Sequence, residues 1–357
     1  MPGLRGVGFE FLPQVAHVDA QVVALPVVRW PPDFAQQLAV RQHAAGIADQ
    51  HREQAVFKRR QMDFQPKAGK SEVFAEGWLE SDTAVSPVLG MTWHARDTLN
   101  LYANYDKGFE TPTPAEVAYT SSGTTAIPLF NPRLNASKSQ HYELGAKWLP
   151  TPESRLDFNL YRINSVNEIV VSSRSNGQSA YKNAPGTTRT GVELAGQVLL
   201  DPHWRAALSA SWINARFSQA YASNGVVAAS GSKLPGIPGH FVFSELVWSS
   251  QTLGGAATLS KSRVNPGTQA GLELTNAGRL FANDVNTASA DGYTTLSARL
   301  SQGWNIGPDL LTAYGRIDNL TGRRYVGSVI VNQAAGQYYE PATGRSWSLG
   351  LRVTLAL

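Results

Sequence analysis

The sequence predicts an all-β fold: an antiparallel transmembrane β-barrel wall of about eleven long strands, behind an N-terminal segment of different character. Three observations carry this. From Ala84 onward, apolar and polar residues alternate in segments of ten to thirteen residues, longer than the five or six usual in soluble sheets. Short turns and long loops take turns along that region, the pattern of a membrane barrel. Five tryptophans (Trp93, Trp148, Trp204, Trp248 and Trp304) stand within about three residues of the short turns, as an aromatic belt at one membrane face requires.

The predicted strands are 86–95, 98–109, 139–149, 154–166, 187–199, 204–216, 240–249, 254–263, 291–302, 308–320 and 345–357. Short turns fall at 96–97, 150–153, 201–203, 250–253 and 303–307. Long loops are expected over 110–138, 167–186, 217–239, 264–290 and 321–344.

Alternation is clearest in the last strand. Trp347, Leu349, Leu351, Val353, Leu355 and Leu357 share one face, while Ser346, Ser348, Gly350, Arg352, Thr354 and Ala356 share the other. Val192, Leu194 and Val198 oppose Glu193 and Gln197. Trp204, Leu208 and Trp212 oppose Arg205, Ser209 and Ser211. In Leu99–Asp106, Leu99, Leu101, Ala103 and Tyr105 oppose Asn100, Tyr102, Asn104 and Asp106. Only 240–249 breaks the rule, with Glu245 on the face of Phe241 and Phe243. Trp204 and Trp212, eight residues apart, are separated by roughly 20 Å of height at the usual rise and tilt, close to an apolar band.

Composition narrows the function classes. No window approaches the eighteen or more apolar residues of a membrane helix, but strands escape such scans. With no cysteine there is no disulfide, thiolate metal site or cysteine nucleophile. The formal net charge is +4, and residues 1–70, with nine Lys/Arg and six Asp/Glu, hold most of it. The main body is nearly neutral, so no nucleic-acid partner is expected. The seven histidines (His17, His43, His51, His94, His141, His203 and His240) are dispersed, and no metal site is expected. No nucleophile elbow, phosphate loop or dinucleotide fingerprint occurs. Glu143 and Lys147 share an inward face but read as lumen charges. No enzyme activity and no cofactor are expected.

Residues 1–80 lack the alternation. Asp33–Arg60, rich in Ala, Gln, Arg and Leu behind Pro31-Pro32, predicts a helix over 33–60 with Asp33 as N-cap. No recognisable signal peptide opens the chain.

Four stretches resemble the C-terminal barrel of TonB-dependent outer-membrane receptors. Leu101–Pro114 (LYANYDKGFETPTP) is similar to a Tyr-rich strand followed by Gly-Phe and Pro. Asn131–Trp148 (NPRLNASKSQHYELGAKW) resembles the Asn-Pro-x-Leu segment leading into a Tyr-Glu-Leu-Gly-x-Lys strand. Asn183–Gly196 (NAPGTTRTGVELAG) resembles an Arg-x-Gly-Val-Glu strand. Arg316–Tyr325 (RIDNLTGRRY) resembles a late Asp/Glu-Asn-Leu element ending in Tyr. Their order and spacing over 84–357 make the combination specific. Tyr325–Arg345 (YVGSVIVNQAAGQYYEPATGR) is most similar to receptors for iron–siderophore complexes and their relatives for redox cofactors.

The resemblance implies half of a 22-stranded barrel in the outer membrane of a Gram-negative bacterium, in contact with its lipid. It implies uptake of an iron–siderophore complex or similar large scarce solute, energised by the TonB complex. Residues 1–80 hold no recognisable plug or TonB box. The alternative expectation is therefore a truncated, non-transporting fragment or passive membrane sheet, with 86–95 and 345–357 as open edges. Ligand contacts are expected from Tyr314 and Arg316, inward by parity, and from Tyr338 and Tyr339 in the last long loop.

Overall fold

The computed structural model describes residues 86–223, 225–253 and 266–355. The segment 1–80, including the helix expected over 33–60, lies outside the described residues. Eleven strands join in chain order into one sheet. They are β1 (Val88–Arg96), β2 (Leu99–Glu110), β3 (Ser137–Thr151), β4 (Ser154–Ser175), β5 (Gln178–Asp201) and β6 (Trp204–Phe217). They continue with β7 (His240–Ser249), β8 (Gly267–Ala277), β9 (Tyr293–Ile306), β10 (Asp309–Asp318) and β11 (Ser346–Thr354). Every neighbouring pair is antiparallel. β1 and β11 are the sheet's two edges, so the described wall is not closed.

Ten of the predicted strands coincide with β1–β7 and β9–β11. The eighth does not. The span 254–263 lies wholly outside the described residues, and the strand hydrogen-bonded to both β7 and β9 is Gly267–Ala277, inside the expected loop 264–290. Its outward row, Ala270, Leu272 and Leu274, alternates with Gln269, Gly271 and Glu273, so the period was present. An expected short turn at 250–253 placed the strand too early.

The expected loop 167–186 is also corrected: β4 and β5 run through it to a two-residue turn at Asn176-Gly177. Both turn residues have positive φ, 49° and 74°, which Asn and Gly tolerate and a tight hairpin requires. The outward residues become polar at Arg162, which hid the strand's continuation. The other long loops carry short ribbons at 120–122/125–127, 221–223/226–228, 280–281/289–290 and 326–329/339–341. A one-turn helix, α1 (Pro114–Val117), sits in the first of them, its backbone closed by a Thr113–Glu116 capping box.

The registers assign two faces. One is apolar and open: on β11, Trp347, Leu349, Leu351 and Val353 are 74%, 77%, 74% and 59% exposed. Burying none of this surface inside the protein is favourable only where hydrocarbon covers it. All five turn-side tryptophans lie on this lipid-facing side, with Trp204 directly opposite Trp248. The other face lines the lumen and is polar. Phe241, Phe243 and Glu245 all belong to it, because Glu245 pairs with Ala207 and Glu273, both lumenal. The strand over 240–249 therefore keeps the mixed pattern read from its sequence, with phenylalanines on the lumen row beside Glu245 and Ser244 among Val242, Leu246 and Trp248 on the lipid row.

A small apolar core closes the outer end of the sheet beneath the loops. Ala184, Ala215, Phe217 and Leu234 are buried there, with Val170, Ile213, Tyr221 and Ile237 packed around them.

Candidate ligand-binding site

The lumen wall is built from matched charges. Across β6 to β10 the chain of pairs runs Arg205–Glu245 (3.6 Å), Glu245–Arg299 (2.5 Å), Arg299–Glu273 (3.4 Å) and Glu273–Arg316 (2.7 Å). Arg316 also reaches Asp318 at 2.7 Å. The register places Glu245 directly opposite Glu273, and like charges so placed repel unless cations intervene. Arg299 and Arg316 supply them. Arg316 donates both terminal nitrogens to Glu273, each at 2.7 Å, so its guanidinium is held by the wall itself.

On β2 and β3, Tyr102 donates to Glu143 at 3.3 Å and Asn104 does so at 3.4 Å. The Lys147 ammonium lies 5.5 Å from the Tyr102 ring centroid. Glu143 and Lys147 thus both turn to Tyr102. Among the described residues no cluster of three or more His, Asp and Glu is placed to hold a metal ion.

Above the wall the outer loops are tied together. Asn332, 8% exposed and at φ 53°, is the hub. Its backbone N–H donates to Ala282 O (3.0 Å) and its carbonyl accepts from Arg174 N–H (3.1 Å). Its amide donates to Val171 O (2.8 Å) and accepts from Asp284 N–H (3.2 Å). One side chain thereby joins the β4–β5 hairpin, the β8–β9 loop and the β10–β11 loop.

A second tie is the ion pair of Lys182 with the buried Asp284, 3.1 Å long, under the Tyr221 ring 4.7 Å away. Burial holds the Lys182 ammonium below its usual range, against the opposing pull of Asp284. Burial, with the Asp284 charge, pushes the Tyr221 phenol up.

Between the β8–β9 and β10–β11 loops lies a cavity of about 370 Å³, bordered by Asp291, Gly292, Arg323, Arg324, Tyr325 and Tyr339. Local sequence sets its shape. Asn319, at φ 51°, accepts from Arg323 N–H (2.9 Å) and donates to Arg323 O (2.8 Å), and Gly322 takes φ 65°. This turn leaves the Arg323 and Arg324 side chains exposed, with no ion pair among the described residues. Tyr325 stacks on Tyr293 with centroids 3.9 Å apart, and burial beside Tyr325 pushes the Tyr293 phenol up to about 12. Tyr339 donates its hydroxyl to Ser289 O at 3.1 Å.

The four expected site residues are divided by the fold. Tyr338 and Tyr339 meet edge to face at 6.2 Å; Tyr339 borders the cavity, while Tyr338 packs on the apolar cluster of Ala282, Ala290 and Val329. Tyr314 and Arg316 lie on the lumen face of β10. Arg323, Arg324 and Tyr325 were not singled out from sequence. The signal was in the quoted Asn-Leu-Thr-Gly-Arg-Arg-Tyr run, where a turn delivers two adjacent cations and an aromatic. A larger cavity, about 470 Å³, opens on the lipid side and is lined by Leu208, Leu246, Leu272, Leu274 and Leu296. Such a lining suits acyl chains rather than polar cargo.

A sheet with one lipid face, one ion-paired polar face, short turns at one end and tied loops at the other defines a membrane β-barrel wall. The chain belongs to the family described as TonB dependent receptor-like, beta-barrel, whose family model matches residues 57–320. This is a family of receptors rather than enzymes. Solved structures share the fold. The ferric yersiniabactin uptake receptor FyuA from Yersinia pestis is 20% identical, with a TM-score of 0.52 over 74% of this chain and 36% of that one. BauA, the ferric preacinetobactin receptor from Acinetobacter baumannii, is 16% identical, with a TM-score of 0.53 over the same shares. The copper transporter OprC is 15% identical, with a TM-score of 0.54 over 75% of this chain and 38% of that one. The chain therefore spans little more than a third of the length of these receptors.

Proposed function

We propose that this chain forms part of an outer-membrane receptor that takes up an iron–siderophore complex or similar large scarce solute, energised by the TonB complex. The observation that carries this reading is the outer cavity with Arg323, Arg324, Tyr325 and Tyr339 on its border. Two guanidinium groups with no ion pair among the described residues suit an anionic chelate, and the tyrosine faces suit its planar groups. Tyr339 contacts the ligand and Tyr338 supports it edge-on. Tyr314 and Arg316 line the passage, Arg316 as part of the wall because its charge is already matched.

A second reading rests on the edges of β1 and β11. Unpaired backbone groups cost several kcal/mol each in hydrocarbon, so uptake needs further strands on both edges. Without them the sheet is a passive, non-transporting membrane wall.

Accumulation of a fluorescent ferric siderophore by Gram-negative cells carrying the chain separates the readings. Energised uptake predicts accumulation that disappears when the TonB complex is removed. It also predicts surface binding that falls at least tenfold in Arg323→Gln/Arg324→Gln/Tyr339→Leu. Unchanged binding by that variant removes the cavity from the proposal. Binding without accumulation supports the passive wall.

A further inference from the structure

The lipid-facing side of the wall changes chemistry in register. On β2 to β6 the apolar band ends at a row formed by Ala103, Leu144, Leu160, Val192 and Trp212. The next outward row toward the long loops is Tyr105, Tyr142, Arg162, Thr190 and Asn214, with the two tyrosine rings 5.2 Å apart. The row beyond it is Lys107, Gln140, Asn164, Thr188 and Arg216. Lys138 follows on the next row, and Lys233 joins from the β6–β7 loop, bridged to Arg216.

Five cations therefore stand outward in this region, Arg162 in the aromatic row and Lys107, Lys138, Arg216 and Lys233 beyond it. None of the residues in these rows on β2 to β6 is Asp or Glu. Nor does any carboxylate among the described residues pair with these five. Their partners are neutral. Arg162 donates to Asn164 Oδ1 (3.1 Å), while Arg216 (2.6 Å) and Lys233 (2.7 Å) share Asn214 Oδ1. Burial and the neighbouring Arg216 charge hold Lys233 below its usual range, as expected where cations crowd with no anion supplied by the protein. The lumen face of the same strands differs completely: Asp106, Glu143, Asp157 and Glu193 all point there.

The patch is one-sided. The outward ends of β7, β8 and β9 are His240, Asn276 and Thr294, which lie level with Trp212 and Ala210, below the cation rows; they are joined by hydrogen bonds of 2.7 and 2.8 Å and include no Lys or Arg.

We infer that the outward cations Lys107, Lys138, Arg162, Arg216 and Lys233 bind the phosphate groups of a phosphorylated glycolipid in the outer leaflet. The geometry selects this occupant. The apolar rows below seat acyl chains, and the tyrosines lie at the hydrocarbon boundary. The cations stand at headgroup height on the long-loop, outer side. From Lys107 on β2 to Arg216 on β6 the patch spans four strand spacings, about 19 Å, which suits a lipid carrying more than one phosphate. Arg and Lys together supply fork and point-charge contacts to such groups. The inference goes beyond ligand uptake and holds whatever the lumen carries.

The test places the full chain in nanodiscs of zwitterionic phospholipid and titrates three probes: a bis-phosphorylated lipid A, the same glycolipid with both phosphates removed, and phosphatidylglycerol. Retained lipid is counted by native mass spectrometry. The bis-phosphorylated glycolipid is expected to be held at least tenfold more tightly than either other probe. Arg162→Gln/Arg216→Gln/Lys233→Gln is expected to lose that preference while keeping the far-ultraviolet spectrum of the parent. Equal retention of phosphorylated and dephosphorylated glycolipid by the parent chain overturns the proposal without need of a variant. Equal retention of phosphatidylglycerol overturns the choice of glycolipid. A folded triple variant with undiminished preference overturns the assignment to these residues.

Discussion

The ring of Tyr314 lies in the space that a side chain on Gly350 would fill. The two residues face each other across β10 and β11, and a Cβ at Gly350 falls well inside van der Waals contact with the phenol. The same arrangement recurs on the lumen face at Tyr102 over Gly145 and at Tyr161 over Gly191, where the added Cβ lies 2.5 Å from the ring. Glycine lets the sheet curve, and the facing aromatic covers the backbone thus exposed. Gly350→Ala is expected to destabilise the folded sheet by about 1–3 kcal/mol through overpacking. In a Tyr314→Ala background the same change is expected to cost under about 0.5 kcal/mol. Urea titrations in lipid vesicles over the four-member cycle measure the coupling; additive effects would refute the contact.

Leu351 stands on the open face of β11, opposite Ala313. Leu351→Arg is expected to cost about 2–4 kcal/mol if the position lies near the bilayer midplane. Arg352→Gln, one residue along and lumenal, is expected to change stability far less. Spin labels along 346–354 check the assignment independently: oxygen accessibility should alternate with period two, peaking at 347, 349, 351 and 353.

Asn332→Ala removes both side-chain bonds of the loop hub and leaves Val171 O and Asp284 N–H without that partner. It also forces alanine into a φ of 53°. Local loosening of about 2–4 kcal/mol is expected from two lost hydrogen bonds and the left-handed backbone. Asn332→Gly, which tolerates the backbone, should loosen less. Amide exchange would accelerate at 171–175 and 282–284 in the alanine variant, with β9 and β10 unaffected. Uniform acceleration across the sheet would contradict a local hub.

Glu168 lies beyond the apolar band, where Thr187 and both terminal nitrogens of Arg189 donate to it. Burial alone would raise its carboxyl, but the Arg189 charge and these hydrogen bonds bring it below its ordinary 4.5. A carboxyl held low stabilises the folded hairpin fully above that value and progressively less as pH falls through the folded pKa. Exchange protection around 166–189 should therefore be flat from neutral pH to about 5 and decline below 4.5. Glu168→Gln should start lower and lose that decline. A variant profile that still falls in step with the parent would place the titration elsewhere.

The direction each strand faces was legible because alternation is a local property: neighbouring side chains on a strand must point opposite ways. Trp347, Leu349, Leu351 and Val353 announce a lipid face with no knowledge of any partner. The order of the quoted motifs along the chain likewise needs no coordinates. Pairing is another matter. Whether the eighth strand is 254–263 or 267–277 depends on which segment completes the ladders of β7 and β9, and both segments have strand-like composition. Glu245 looked misplaced beside Phe241 and Phe243 until Arg299, 54 residues later, was brought against it. Arg316 looked like a free cation until Glu273 occupied it. Asn332 and the Arg323–Arg324 cavity edge are likewise products of loops meeting over long separations. Periodicity specifies which face a residue takes; only the assembled sheet decides which charges meet across it, because that depends on register and closure between distant segments.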